Sequence, residues 1–399
     1  MTRNPLDTRI SFSVVLMLCA SLLLSSFFIT NAKAAEHDPL AEAGRLAALE
    51  FMLQDAISRH LISGAVLLIG DRHGVLYENA IGKDGFAPDA RPLTVDTRFD
   101  VASLTKVVAT APAIVSLIEE GRLSLLDPLS TWFPELEGRD ITVLHLLTHT
   151  SGLHDRTIDV ADPLASAVRN AALLAGRLPA GHRFQYADIN FILLGELVRR
   201  VSGLPLDRYC QENLYQPLMM HSTGFNPSYG LKIAATLGGS RSITGVVQDE
   251  NARKLGGVAG HAGLFSTARD LGRFARMLLG GGQLEGVRTL SPETVSQMIA
   301  PYFSSNGRIV RGLGWDRESP YSSPKGALFS DRSFGHTGYS GSSIWIDPES
   351  GLYVVLLSTR INYSNKQRFN RLRGNISTLG AAVFRDSRIG YSAQRPEKP

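Results

Sequence analysis

Cysteine is almost missing from this chain: 399 residues hold only Cys19 and Cys210. Cys19 lies in the N-terminal apolar stretch described below. The remainder therefore has no internal disulfide and no thiolate cluster for a metal, and it must rely on its core. An excess of one charge is also lacking. The formal net charge is +4, and no lysine and arginine run interleaves with aromatics, which argues against a nucleic-acid partner. A Gly-x-Ser-x-Gly is absent, because Gly338-Tyr339-Ser340-Gly341 lacks the spacing; this removes the nucleophile turn of an α/β-hydrolase. His-Glu-x-x-His is absent too. His145 and His149 are four apart, but Leu146 stands in the glutamate position and no third ligand can be assigned. Structural roles are expected for both, no metal or organic cofactor is implied, and no internal repeat is visible.

What is present begins with a leader. Arg3 and Arg9 precede an apolar stretch from Ile10 to about Thr30, followed by Asn31-Ala32-Lys33-Ala34-Ala35. A positive start, an apolar middle and an Ala-x-Ala ending predict a secretory signal over residues 1–34. The stretch nearly spans a bilayer, so an uncleaved anchor is the alternative, and membrane contact is expected only in that case. The protein is thus expected in the periplasm or secreted. Its composition, 44% hydrophobic, is that of a globular chain with one large or two modest cores. Residues 392–399 read as a disordered tail.

The chemistry starts at Ser103-Leu104-Thr105-Lys106, ahead of apolar residues at Val107, Val108, Ala111, Ile114, Val115 and Ile118. That is helical periodicity, closed by Gly121 and kinked by Pro112. Serine and lysine one turn apart share a helix face. The lysine can take the hydroxyl proton if burial and the helix N-terminus pull its pKa down. A second match, Ser322-Ser323-Pro324-Lys325, is broken by its proline and by Gly326, and reads as loop. Two further segments could face a cleft. Tyr186-Ala187-Asp188 leads into the helix around Phe191–Val198, and a phenol beside an ammonium can share the base role. Gly335-His336-Thr337-Gly338-Tyr339-Ser340-Gly341 enters the strand at Ser343, where an edge offers unpaired N–H groups to an oxyanion.

The clearest strands lie at both chain ends. Ala65–Ile69 turns back at Val75–Tyr77, and Ser343–Asp347 turns back at Leu352–Leu357. Amphipathic helices flank them at Leu40–His60 and Arg368–Phe384. The expectation is α+β: an antiparallel sheet built from both chain ends, flanked by helices, with a mostly helical inserted lobe. The sheet lobe would cover about 40–102 and 331–385, and the helical lobe about 103–330.

In the order Ser-x-x-Lys, Tyr-x-Asp, His-Thr-Gly, these elements resemble the serine β-lactamase and penicillin-binding-protein superfamily, nearest its class C β-lactamase-like branch with D-alanyl-D-alanine carboxypeptidases and esterases. Leu146–Leu153, Gly256–Ser266 and Gly312–Trp315 share the likeness, which spans nearly all of residues 40–385. The resemblance implies the β-lactamase/transpeptidase-like fold for a catalytic domain over 35–391. It makes Ser103 the acylated nucleophile, Lys106 its proton-shuttling partner and Tyr186 the general base. The oxyanion donors would be the N–H groups of Ser103 and Tyr339, and Asp188, His336, Thr337 and Gly338 would line the substrate site. Substrates would be small molecules or peptidoglycan peptides. Two departures stand out: Asp188 replaces an asparagine amide with an acceptor-only carboxylate, and His336 replaces a lysine with a group charged only part of the time at neutral pH. Both favour a D-alanyl-peptidase or esterase over a class C-like β-lactamase, the second reading. A non-turnover wall-peptide or β-lactam sensor is the third. His261, in a glycine-rich loop, is assigned no role, and an approach to the cleft is left open for it.

Overall fold

A computed structural model describes residues 39–391, apart from 175–177, 229–230, 239–240 and 307. The segments expected to be a signal and a tail lie outside the described residues. Helix α1 (Pro39–Ser58) leads into strands β1 (Ile62–Asp71) and β2 (Gly74–Gly82). Their tight turn is held by Asp71, whose carboxylate accepts the N–H groups of His73 and Gly74. The other strands come from the far end of the chain: β3 (Phe334–Thr337), β4 (Ser343–Asp347) and β5 (Leu352–Arg360). The sheet order is β3-β4-β5-β1-β2 and every pairing is antiparallel, with Leu67 opposite Leu356 where the two halves meet.

The continuous apolar run of β1 follows from burial on both faces. Ala65, Leu67 and Ile69 pack with Leu49 and Leu53 of α1 and with Phe369 and Ile376 of the closing helix. Val66 and Leu68 point the other way, into the larger core shared with Ile114 and Phe274. Helices α2 (Ala111–Glu119), α3 (Asp188–Ser202), α4 (Ala268–Leu279) and α5 (Lys366–Tyr391) complete the elements that matter for the site.

The structure redraws the expected lobes in one respect. Helix α4, inside the segment assigned to the helical lobe, lies on the sheet. Gly272 meets it so closely that a β-carbon there would stand 3.1 Å from Tyr353 Oη and 3.3 Å from Leu68. Its apolar stripe (Leu271, Phe274, Ala275, Leu278) needs a flat partner, which the sheet supplies. Short strands also occur within 103–330: Leu264–Ser266 pairs with Phe99–Asp100 just before Ser103.

Candidate active site

Ser103 follows a residue with an unusual backbone. Ala102 has φ of +48°, a left-handed conformation that costs an L-residue about 1–2 kcal/mol. A 3₁₀ turn (Ala102–Leu104) and a wide π turn (Lys106–Thr110) then lead into α2. The sequence predicted one helix kinked at Pro112; the chain instead widens over the turn before it. Pro112 has no N–H for the Val108 carbonyl, and that carbonyl accepts the Tyr215 hydroxyl at 3.3 Å. Gly121 closes the helix at φ +71°, as expected.

Serine and lysine remain on one face, with Lys106 Nζ 3.0 Å from Ser103 Oγ. The lysine is fully buried. Its ammonium also donates to the His261 carbonyl at 2.9 Å and pairs with Asp188 Oδ1 at 2.7 Å. Burial alone would drive its charge off, but Asp188 and Tyr186 outweigh that and hold its pKa above the ordinary lysine value. This corrects the expectation of a lysine pulled down towards neutrality: the resting group is an ammonium. Tyr186 carries its hydroxyl against both Lys106 and Ser103. Burial pushes its pKa up, Lys106 opposes that, and Asp188 reinforces it. His149 stacks on the Tyr186 ring at 4.4 Å and accepts the Ala187 N–H, so it props the tyrosine. His145 instead caps its own short helix through Thr142.

On the opposite wall, His336 lies in β3. The sequence predicted an imidazole charged part of the time; burial, then Arg311, keeps its pKa well below 6.5, so it is neutral. Nδ1 faces the Thr337 carbonyl at 3.0 Å, which makes it the N–H donor and leaves Nε2 as a buried acceptor with no protein partner. The edge is also less open than expected, since Gly335 exchanges backbone bonds with Asp316. Beyond it, Gly338 comes so close to the nucleophile turn that a β-carbon would stand 2.4 Å from the Val101 carbonyl oxygen. The strand end carrying Tyr339 is thereby set beside Ser103.

Ser103, Tyr186, Asp188 and the 336–339 segment line one cleft of about 540 Å³. Asp188 is placed there as expected, but one of its oxygens is occupied by Lys106. The cleft also holds residues that the motifs did not single out. Arg311, buried, lies 5.7 Å from the centre of the Tyr186 ring, and Asp249 bonds His261 at 2.8 Å. Arg311 directly precedes the Gly312–Trp315 stretch, which was its only signal. Asp188, Asp249 and His261 bring one ligand atom each within 4.8 Å of the others. Of these three side chains, Asp188 is the one that Lys106 Nζ meets, at 2.7 Å from Oδ1.

A serine, a buried lysine and a tyrosine sharing hydrogen bonds at the edge of an antiparallel sheet define an active-serine hydrolase site in the β-lactamase/transpeptidase-like fold. Comparison with known proteins agrees. A family model described as Beta-lactamase matches residues 47–375, and the chain belongs to that family. Proteins of Salmonella schwarzengrund and Salmonella agona, provisionally named D-alanyl-D-alanine carboxypeptidases, are 30% identical over 86% of this chain and 90% of their own length. Among solved structures, a penicillin-binding-protein homologue from Caulobacter crescentus is similar at TM-score 0.69 and 23% identity, covering 85% of this chain and 98% of its own. EstCE1, a hydrolase with promiscuous acyltransferase activity, reaches TM-score 0.68 at 22% identity over 85% and 99%.

Proposed function

We propose that this protein is an exported serine hydrolase that works through a Ser103 acyl-enzyme on D-alanyl cell-wall peptides or small esters. The observation that carries the reading is the 3.0 Å contact between Ser103 Oγ and a lysine whose ammonium is fixed on three sides. In this mechanism the ionised fraction of Tyr186, a phenolate stabilised by the neighbouring Lys106 ammonium, takes the Ser103 proton as Oγ attacks the substrate carbonyl, and so becomes a phenol. The N–H groups of Ser103 and Tyr339 receive the oxyanion, and the proton returns to the leaving amine or alcohol. Water then releases the acyl group by the same path.

The peptide preference draws on the curated relatives and on Arg311, a buried cation facing the cleft. Activity as a β-lactamase proper is disfavoured by the carboxylate at Asp188 and by the neutral His336, since both withhold donors from an anionic β-lactam. Export rests on the leader.

The test is intact-mass spectrometry of the protein with a penicillin, following drug loss in the same tube, with Ser103→Ala as control. A lasting Ser103-dependent adduct supports a penicillin-binding peptidase, and intact drug without adduct supports the esterase form. Rapid drug loss would overturn the preference in favour of a β-lactamase.

A further inference from the structure

A closed circuit of contacts surrounds the serine–lysine pair, built from residues that the mechanism above does not use. The buried Asp100 carboxylate accepts the Ala102 N–H at 2.8 Å through one oxygen and the Gln248 N–H at 2.6 Å through the other. Its own carbonyl accepts the Ser340 hydroxyl at 2.6 Å, next to Tyr339. The first bond holds the left-handed Ala102 that aims Ser103 into the cleft. The second reaches a loop whose next residue is Asp249.

Asp249 Oδ1 accepts the Ala252 N–H at 2.7 Å, capping the short helix Glu250–Lys254, and it stands 2.8 Å from His261 Nε2. The imidazole is 1% exposed and Nδ1 has no protein partner. With Nε2–H donating to Asp249 Oδ1, the ring is held in one orientation. Fixing the ring fixes the His261 backbone, whose carbonyl accepts from Lys106 Nζ. Lys106 returns to Ser103 Oγ, and the circuit closes.

We propose that Asp100 and Asp249 are positioning residues that together set the Ser103–Lys106 geometry through the 247–249 loop. The inference rests on the acyl-serine reading. Neither carboxylate reaches the reacting atoms; each acts through backbone that carries them. Asp100 must be a carboxylate, because its two oxygens take two different N–H donors. An asparagine there would set an N–H against one of them. Displacing reacting groups by about 1 Å costs on the order of a hundredfold in rate.

The experiment measures kcat and KM separately for p-nitrophenyl acetate with full-length protein and the variants Asp100→Asn, Asp249→Ala and both together, with Ser103→Ala alongside. Circular dichroism checks that each is folded. The expected result is a kcat lowered about ten- to a hundredfold in each single variant, with KM within about twofold. The double variant should be little worse than Asp100→Asn alone, since both break one circuit. Asp249→Asn, which keeps an acceptor oxygen at the same reach for both N–H donors, should retain more kcat than Asp249→Ala. Folded variants with wild-type kcat, or losses that multiply in the double variant, overturn the proposal. If Asp100→Asn does not fold, Asp249→Ala decides by the same kcat criterion. Full activity in Ser103→Ala would instead remove the acyl-serine reading itself, so the two failures are distinguishable.

Discussion

Replacing Asp188 by asparagine should move the activity of this enzyme to lower pH. The carboxylate lies 2.7 Å from Lys106 Nζ. At that separation Coulomb's law gives about 6 kcal/mol at an effective dielectric of about 20 and about 1.5 kcal/mol in water. The lysine is fully buried, but the Asp188 side chain is 30% exposed, so solvent screens the pair towards the lower figure. A value of about 1.5–3 kcal/mol corresponds to roughly one to two pH units. The sign is the same for either proton acceptor. Asp188 raises the lysine pKa by attracting the ammonium and raises that of Tyr186 by repelling the phenolate. Without the charge both fall, and the fraction of unprotonated base at neutral pH rises. In Asp188→Asn the ascending limb of kcat/KM against pH for p-nitrophenyl acetate should therefore shift down by about one to two units. An unmoved limb in a folded variant would refute the reasoning, because it would mean that neither group's ionisation limits the rate.

The remaining predictions concern single groups. Lys106→Ala and Tyr186→Phe should each slow acylation by orders of magnitude in a stopped-flow assay while the fold is retained. His336 is held neutral, with its pKa below the unfolded 6.5, so the stability this contributes is present above pH 6.5 and is lost as pH falls below it. Relative to His336→Gln, the wild type should lose about 1.4 kcal/mol per pH unit below 6.5, measured by urea unfolding at pH 7 and 5.5. Gly338→Ala should force the Val101 carbonyl away, lowering acylation at least about tenfold and stability by about 1–3 kcal/mol. Unchanged melting and unchanged rate together would contradict that contact.

Period and turn chemistry made the framework legible. The continuous apolar run of β1, its return at Val75–Tyr77 and the flanking helices α1 and α5 follow from local pattern, so the two hairpins and their flanking helices could be read directly. The serine–lysine pair was legible because three residues make one helical turn, and a 3₁₀ turn followed by a π turn keeps that pairing. Electrostatic state was not legible. Whether Lys106 is charged depends on Asp188, 82 positions away in sequence, and the neutrality of His336 depends on burial beside Arg311. The placing of α4 was missed because an amphipathic stripe says that a helix is covered, not by what. Asp100 and Asp249 each make short bonds to segments more than ten residues away, which no local pattern encodes.

The most direct test of the central claim is to trap the acyl-enzyme. The protein is mixed with p-nitrophenyl acetate, quenched in acid within the burst of p-nitrophenol release, digested and mapped by mass spectrometry. The account predicts one acetyl group on the peptide containing Ser103, on Ser103 itself, and neither burst nor label in Ser103→Ala. A burst that persists in Ser103→Ala, or a label on another residue with Ser103 unmodified, would contradict it.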